Sequence, residues 1–503
     1  MLATSLTAAV VGVEARLVRV EADTSAGFPK FTMLGLADSC VRESEGRIRA
    51  ALRNCGYGFK WDRRITVNLA PAHLRKVGSS FDLPTAVGLL AADGELPPGA
   101  LSDALLVGEL ALDGSVRPVS GLLPVVVAAR RAGLARAFVP VENAREAALV
   151  SGLRVHGVRS LPDAVDAVKG NGAAAAVVPA PAASSPEHAR LDLADVRGQR
   201  LARRALEVAA AGGHNLLLIG PPGSGKTMLA RRLPGILPPL APEEALETSA
   251  VHSASGRRLE RLVDSRPFRS PHHTTTDVAL VGGGATPRPG EVSLAHNGVL
   301  FLDELTEFRR GALEALREPL EERVVTVTRV RGTLKLPARF QLVAAMNPCP
   351  CGFLGDPRRP CRCTPRQIEA YRSRISGPLL DRIDLHCEVA SVPWNDLQGP
   401  SGEASAAVAR RVARARDRQL ARQGLRLNAD LAADGLRAAA PLDDACRTLL
   451  AQAMEGFALG ARAHDRVLRV ARTVADLAGS ESVGRCHVSE ALQLRLQNLG
   501  FRD

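Results

Sequence analysis

Aromatic residues are scarce in this chain: two Trp, two Tyr and twelve Phe make up 3% of its 503 residues. With 46% of the residues hydrophobic it can still build sizeable cores, which Leu, Val and Ala must fill. No charged-then-apolar leader opens the sequence, and no apolar run is long enough to span a bilayer, so the expectation is a soluble cytoplasmic protein. The nine cysteines do not fit a secreted disulfide framework, because the number is odd and four of them crowd into residues 349–363. That spacing suits a metal site or free thiols. Acid is in deficit, with 53 Asp and Glu against 65 Lys and Arg, a net charge of +12. Such an excess favours a polyanionic partner such as nucleic acid, although a GC-biased proteome, rich in Arg and Ala, produces a similar balance. The length is enough for about three domains.

The sequence is organised around Gly220-Pro221-Pro222-Gly223-Ser224-Gly225-Lys226-Thr227. An apolar run, Leu216 to Ile219, precedes it as a buried strand, and a helical pattern, Met228 to Leu233, follows. A strand, a glycine-rich turn ending in Gly-Lys-Thr and a helix form a phosphate cradle, in which backbone N–H groups curl around phosphate oxygens. Lys226 is expected to reach the β- and γ-phosphates of ATP, and the Thr227 hydroxyl to ligate Mg²⁺. Downstream, Val299-Leu300-Phe301-Leu302 reads as a buried strand that ends in Asp303 and Glu304. Asp303 is expected to complete the Mg²⁺ site and Glu304 to polarise the attacking water. A further buried strand, Phe340 to Ala345, ends at Asn347, placed either as a γ-phosphate sensor or as an Asx-turn before Pro348. Arg382, between apolar flanks, fits two roles equally: a finger reaching a neighbouring subunit's nucleotide, or an intrachain ion pair with Asp381 or Asp384.

Two insertions interrupt this core. Residues 266–291 carry Gly282-Gly283-Gly284 and Pro287-Arg288-Pro289-Gly290, which read as a hairpin tip with Arg288 as a strand contact. His272 and His273 are assigned to loop hydrogen bonding, since no third metal ligand is close in sequence. Val324 to Pro337 alternates around Arg331-Gly332 as a β-hairpin, with Arg329, Arg331 and Lys335 available either for phosphates or as a solvated charged face. Cys349, Cys351, Cys361 and Cys363 form two Cys-X-Cys pairs that could close a structural tetrahedral zinc site; the alternative is four reduced thiols.

The first unit, residues 1–170, mixes strands and helices in an α+β pattern. Strands are expected at Val10 to Val20, Phe28 to Gly35, Ile65 to Leu69 and Arg136 to Pro140, with a hairpin around Asp113-Gly114. From Leu105 to Ala144 it resembles the proteolytic domain of the Lon family. That resemblance implies a Ser–Lys dyad whose lysine follows a Gly-Leu pair; here Gly121-Leu122 is followed by Leu123 and Pro124. Ser80 could occupy the nucleophile position but lacks its base, so a Lon-like fold without peptidase chemistry is expected. Residues 171–190, an Ala-, Pro- and Ser-rich stretch, read as a flexible linker. Residues 394–503 read as helical; one helix, Ala404 to Gln423, carries Arg410, Arg411, Arg414, Arg416, Arg418 and Arg422, taken as a solvated basic face, with DNA contact as the alternative.

The cradle, Leu302-Asp303-Glu304, Ala345-Met346-Asn347-Pro348-Cys349 and Ile375-Ser376-Gly377-Pro378 through Asp384 resemble the magnesium-chelatase-like branch of the AAA+ ATPases. The whole chain resembles the ComM (YifB) family, most specifically at Phe268-Arg269-Ser270-Pro271-His272-His273 and the cysteine loop. The resemblance implies a Lon-like (ribosomal S5 domain 2-like) unit at 1–170, an AAA+ P-loop core at 191–393 and a helical lid at 394–503. It further implies a homo-hexameric, ATP-driven motor on single-stranded and branched DNA that migrates junctions during uptake of transforming DNA, with recombination proteins as possible company. By the same match Arg469, in Ala461 to Thr473, is the lid-borne nucleotide sensor, with Arg466 and Arg472 as neighbours of the same type, and Arg382 is the finger. Two rivals stand beside it: a magnesium-chelatase-type motor acting on a protein, and a Lon-like protease or unfoldase.

Overall fold

A computed structural model describes residues 1–171, 191–284, 288–329, 332–457 and 459–496. The stretch 172–190, which holds all but the first residue of the expected linker, lies outside the described residues, as do the hairpin tip 285–287 and Arg331.

The N-terminal unit is a seven-stranded mixed sheet. Its strands are β1 (Leu2–Val11), β2 (Glu14–Ser25), β3 (Lys30–Leu34), β4 (Arg64–Ala70), β5 (Ala104–Leu106), β6 (Arg136–Pro140) and β7 (Arg154–Val158), in the order β3-β4-β2-β1-β5-β6-β7. The expected strand over 10–20 is in fact two strands, because Gly12, at φ 71°, turns the chain and pairs Val11 with Glu14. The hairpin around Asp113-Gly114 is a short ribbon, Glu109–Leu110 against Val116–Arg117, while Leu105 and Leu106 belong to the main sheet. Helices Asp82–Ala92 and Leu122–Arg131 cover opposite faces, over separate buried clusters.

The second unit is a five-stranded parallel sheet: β8 (Leu216–Ile219), β9 (Phe268–Arg269), β10 (Val299–Leu302), β11 (Gln341–Met346) and β12 (Leu385–Glu388), in the order β9-β10-β11-β8-β12. Every residue of β8, β10 and β11 is buried, so these strands are apolar throughout rather than alternating. One face, with Leu216, Leu218, Phe301 and Val343, packs into a core shared with the C-terminal helices; the other, with Leu217, Leu300, Leu302 and Ala344, packs on the helices after β10 and on the Val324–Arg329/Gly332–Pro337 hairpin. The strand before the cradle, β8, lies between β11 and β12, so the chain leaves it in one direction and returns on its other side. In open parallel sheets such a point, at the carboxyl ends of the strands, forms a crevice for ligands.

The C-terminal helices Ser405–Gln423, Asp444–Gly456, Ala461–Ala478 and Arg485–Leu496 close over the first face. The basic helix is only partly a solvated face: Arg410, Arg414, Arg418 and Arg422 are exposed, but four of its six arginines are bonded within the chain. Arg411 pairs with Glu207 and Glu403, Arg416 and Arg418 donate to the carbonyls of Ala210 and Asp476, and Arg422 pairs with Asp476. The N-terminal unit rests on the core: Leu246, Leu259 and Leu262 pack on its cluster, and the Leu123 N–H donates to Ser253 Oγ at 3.3 Å. No helix among the described residues is long and apolar enough to cross a membrane.

Candidate active site

The cradle sits at the carboxyl end of β8. Gly223 and Gly225 have φ of 77° and 91°, a region β-carbon-bearing residues avoid, and they curl the backbone before the helix Lys226–Ala230. Gly220 permits a different feature: a Cβ there would lie 2.1 Å from the Val389 carbonyl, so only glycine lets the loop pass beside the end of β12. Lys226 is buried and folded inward, its Nζ donating to the carbonyls of Gly220 and Pro221 at 2.7 and 2.9 Å and to Asn347 Oδ1 at 3.2 Å. Burial draws its pKa down to about 8, against the pull of Asp303 and Glu304. The Thr227 hydroxyl donates to Asp303 Oδ2 at 2.7 Å.

Lys226, Thr227, Asp303 and Asn347, spread over more than a hundred residues, are thus joined by direct hydrogen bonds. The hydroxyl and carboxylate side by side are hard oxygen donors of the kind Mg²⁺ takes from a protein that leaves most of its sphere to water and phosphate. Lys226, resting on carbonyls, is a donor that a phosphate can claim.

Glu304 holds φ 51°, ψ 51°, a left-handed backbone that a non-glycine residue adopts at a cost of roughly 1 kcal/mol or more. Its carboxylate meets His273 Nδ1 at 3.3 Å. The sequence reading assigned both histidines to loop hydrogen bonding. His272 does so, with its Nδ1 2.9 Å from Thr274 Oγ1, whereas His273 reaches across to the acid after β10. No local signal marked this: the meeting comes from β9 lying beside β10, so that His273, after β9, leaves the sheet at the same edge as Glu304. Gln199 was also missed. At φ 49° before the helix Arg200–Gly212, its Nε2 donates to Ser224 O and Ala390 O at 3.3 and 2.5 Å, tying the cradle to the segment after β12.

Neither distant arginine bonds to this group within one chain. Arg382 donates to Pro378 O at 2.6 Å and pairs with Glu321, which answers the open ion-pair question with a partner other than Asp381 or Asp384. Asp384 is taken by Arg466 at 2.8 Å. Arg469 donates to Leu431 O at 3.0 Å. Arg472 is fully buried and bonds to Asp476, Ser480 O and Glu481 O, contacts that lie within the C-terminal helices. Arg288 is exposed beside the Gly282–Gly283/Arg288–Pro289 ribbon. Lys335 lines a cleft against the N-terminal unit with Glu14, Glu243 and Glu247 but also Arg130 and Arg131, a setting of mixed charge. Of Arg329 only the backbone is described, at the end of its strand.

Three family models of magnesium chelatase match the chain: subunit ChlI over residues 192–397, subunit ChlI of Mg-chelatase over 20–143, and the ChlI C-terminal region over 402–495. The competence protein ComM of Haemophilus influenzae is 44% identical over 493 residues, covering 97% of this chain and 96% of that protein. The chain belongs to the ComM (YifB) family. The YifB protein of Salmonella typhimurium is 45% identical over the same share of both chains. A peroxisomal Lon protease homologue of Caenorhabditis elegans is 31% identical over 141 residues, 27% of this ComM-family chain and 18% of that protein. The family is magnesium-chelatase-like and of the AAA+ ATPase type, which accords with ATP and Mg²⁺ at the cradle.

Four further polar atoms lie next to this site. The Sγ atoms of Cys349, Cys351, Cys361 and Cys363 fall within 4.8 Å of one another, a set compatible with zinc. Backbone N–H groups of Arg362 and Phe353 draw the Cys351 thiol down to about 6, whereas the Cys361 and Cys363 thiols, despite the pull of backbone N–H groups, are pushed up by burial and the neighbouring sulfurs.

Proposed function

We propose that the chain is an ATP-driven DNA motor that works as a homo-hexamer, unwinding or branch-migrating single-stranded and branched DNA intermediates of recombination in the cytoplasm. The observation that carries the ATPase part is the bonded set Lys226–Asn347 and Thr227–Asp303 at the carboxyl end of β8. In this reading Gly220 to Thr227 bind the phosphates, Thr227 and Asp303 hold Mg²⁺, and Glu304 orients water. Asn347 and Arg469 sense the nucleotide, and Arg382 reaches in from the neighbouring subunit. Mg²⁺ would neutralise charge building on the β- and γ-phosphate oxygens. Two findings favour DNA as partner: the +12 net charge and the 44% identical relative whose name ties it to competence. Arg288, Arg329, Arg331 and Lys335 are the proposed strand contacts.

The N-terminal unit, residues 1–170, is proposed to be catalytically inert. Gly121 leads straight into the helix Leu122–Arg131, and the buried Lys76 is spent on the Pro71 carbonyl at 2.5 Å. The four cysteines suit a structural zinc, since four protein thiolates leave no open position for a substrate. A magnesium-chelatase-type motor acting on a protein is the second reading, favoured by the family description of residues 192–397.

The deciding experiment is unwinding of a forked DNA with and without ATP, at two salt concentrations. The wild type is expected to separate the strands only with ATP, with binding that weakens as salt rises, and Lys226→Ala to separate none. Wild-type protein that hydrolyses ATP yet is neither stimulated by DNA nor acts on the fork supports the protein-directed reading instead.

A further inference from the structure

The four cysteine sulfurs are placed as a metal would place them. Cys349 Sγ lies 3.4 Å from that of Cys351 and 3.7 Å from that of Cys361, and the Cys351–Cys361 separation is 3.6 Å. Four thiolates about 2.3 Å from one zinc have sulfur–sulfur edges of about 3.8 Å. Weak S–H donors gain little from such crowding, whereas a shared cation rewards it.

The loop that these cysteines close is built into the nucleotide site. Cys349 follows Asn347 by two residues at the exit of β11, and it is fully buried. Gly352, at φ 84°, lies so close to the cradle that a Cβ on it would stand 2.6 Å from Pro222 Cδ and 3.8 Å from Asn347 Cγ. On the far side, Cys363 runs into Thr364, whose side chain caps the helix Pro365–Arg372 in a reciprocal capping box with Gln367. From the end of that helix Arg372 Nε donates back to Pro348 O at 3.2 Å. The loop also lines both cavities beside the cradle. Leu354 and Asp356 face the one of about 160 Å³ that includes Gly220 and Pro221. Cys351, Arg362 and Cys363 face the one of about 710 Å³ that includes Glu304 and Asn347. Arg362, held between two of the four cysteines, has no hydrogen-bond partner for its guanidinium among the described residues.

We infer that zinc held by Cys349, Cys351, Cys361 and Cys363 is a strut of the ATP site: it pins Gly352 against Pro222 and Asn347 and presents Arg362 to the cleft of Glu304. The strut role rests on the ATPase reading above; the metal binding does not. Two Cys-X-Cys arms joined by a loop rich in proline and arginine have no apolar core of their own, and so depend on a metal to hold one conformation. Without it, the wall between the two cavities and the exit of the sensor strand lose their fixed position. Hydrolysis depends on that position more than nucleotide binding does, because the cradle backbone grips phosphate independently.

The test uses the full-length protein. Metal analysis by mass spectrometry of wild type purified without added zinc is expected to give one zinc per chain, and Cys361→Ser/Cys363→Ser none. Replacement by Co²⁺ is expected to give the visible bands of a tetrahedral thiolate site. ATP turnover of the double variant is expected to fall by about tenfold or more, in the range that supporting contacts of a site command, with binding of a fluorescent ATP analogue changed far less. Gly352→Ala is expected to keep its zinc and still lose turnover, which a purely local fold-stabilising role would not produce; it also carries the test if the cysteine variant is insoluble. Wild type stripped of metal and reloaded with Zn²⁺ is expected to regain its rate. Metal-free wild type with four titratable thiols or two disulfides overturns the metal site. Zinc-free protein, or Gly352→Ala, with wild-type turnover overturns the strut. Zinc-loaded wild type with no ATPase activity overturns the ATPase reading and the strut together, and leaves the metal site standing.

Discussion

Lys226 is a cation kept where charge is disfavoured, and this sets a measurable pH dependence. Burial lowers its pKa from 10.5 to about 8, while three oxygen acceptors hold it in place. Bound nucleotide phosphates add negative charge and must raise that pKa again. Below pH 8 the lysine is already charged, so ATP binding takes up no proton there. Above pH 8 the free protein loses the proton that the complex keeps. Affinity is therefore expected to fall as pH rises from 8 toward 10, by up to about tenfold per unit, with proton uptake on binding. Calorimetry in buffers of different ionisation enthalpy reads both; pH-independent affinity without proton uptake would show that Lys226 does not contact the phosphates. That Lys226, Thr227 and Asp303 come together was legible in the sequence, because a strand, a glycine turn and a helix place the first two and a second apolar strand delivers the third. His273 was not: its meeting with Glu304 depends on β9 lying beside β10, a pairing between segments thirty residues apart that local pattern does not specify.

At the scale of elements, the helices Ser405–Gln423 and Ala461–Ala478 show how arginines can be misjudged from sequence. Spacing alone makes them a charged stripe. In the fold, Arg416 gives its guanidinium to the Ala210 carbonyl, and burial lowers its pKa to about 9. Arg411 lies between Glu207 and Glu403. Ala210 and Glu207 sit about two hundred residues away, on the helix Arg200–Gly212, so the sequence stripe carried no sign of them. The core strands β8, β10 and β11, by contrast, were legible to within one residue, since a wholly apolar run of four to six residues has few other uses, whereas β9 and β12 were not read as strands at all. Arg472 provides the sharpest test of this scale. Its side chain is fully buried, bonded to Asp476 and to the carbonyls of Ser480 and Glu481, and Asp476 also serves Arg422 and Asn428. Arg472→Ala leaves two carbonyls and half of a carboxylate without a donor, at an expected cost of about 3 kcal/mol, with an early loss of the C-terminal helices in thermal unfolding. If Arg472 were instead a nucleotide sensor, the variant would melt normally and lose only turnover.

For the whole molecule, two properties follow from how the parts are joined. Burial pushes His252, on the helix that meets the N-terminal unit, down to about 4, and His386, in β12, down to about 3. The unfolded chain protonates both near 6.5, so it binds more protons than the folded one as pH drops below that value. Stability is then expected to fall on acidification from pH 6.5 to 4, by up to about 1.4 kcal/mol per unit for each histidine, read as the denaturation midpoint. Asp82, raised to about 6 by burial, works the other way between 6 and 4 and offsets part of this loss. The second property concerns assembly. Within one chain Arg382 is held by Pro378 O and Glu321 through its terminal nitrogens, with its side chain 10% exposed and its Nε buried without a partner among the described residues. To act as a finger it must exchange Glu321 for a neighbour's γ-phosphate, so its work would be done in a different subunit from its own Lys226. Such a division can be separated by mixing. Arg382→Ala is expected to bind nucleotide and lose about a thousandfold in turnover, and Lys226→Ala to be inactive outright. Mixed rings place an intact Arg382 from the Lys226→Ala chain beside an intact cradle from the Arg382→Ala chain, so activity is expected to reappear on mixing and to peak between the two pure samples. If Arg382 serves only its pair with Glu321, no proportion of the two restores hydrolysis beyond what either shows alone, and Glu321→Ala reproduces the Arg382→Ala defect.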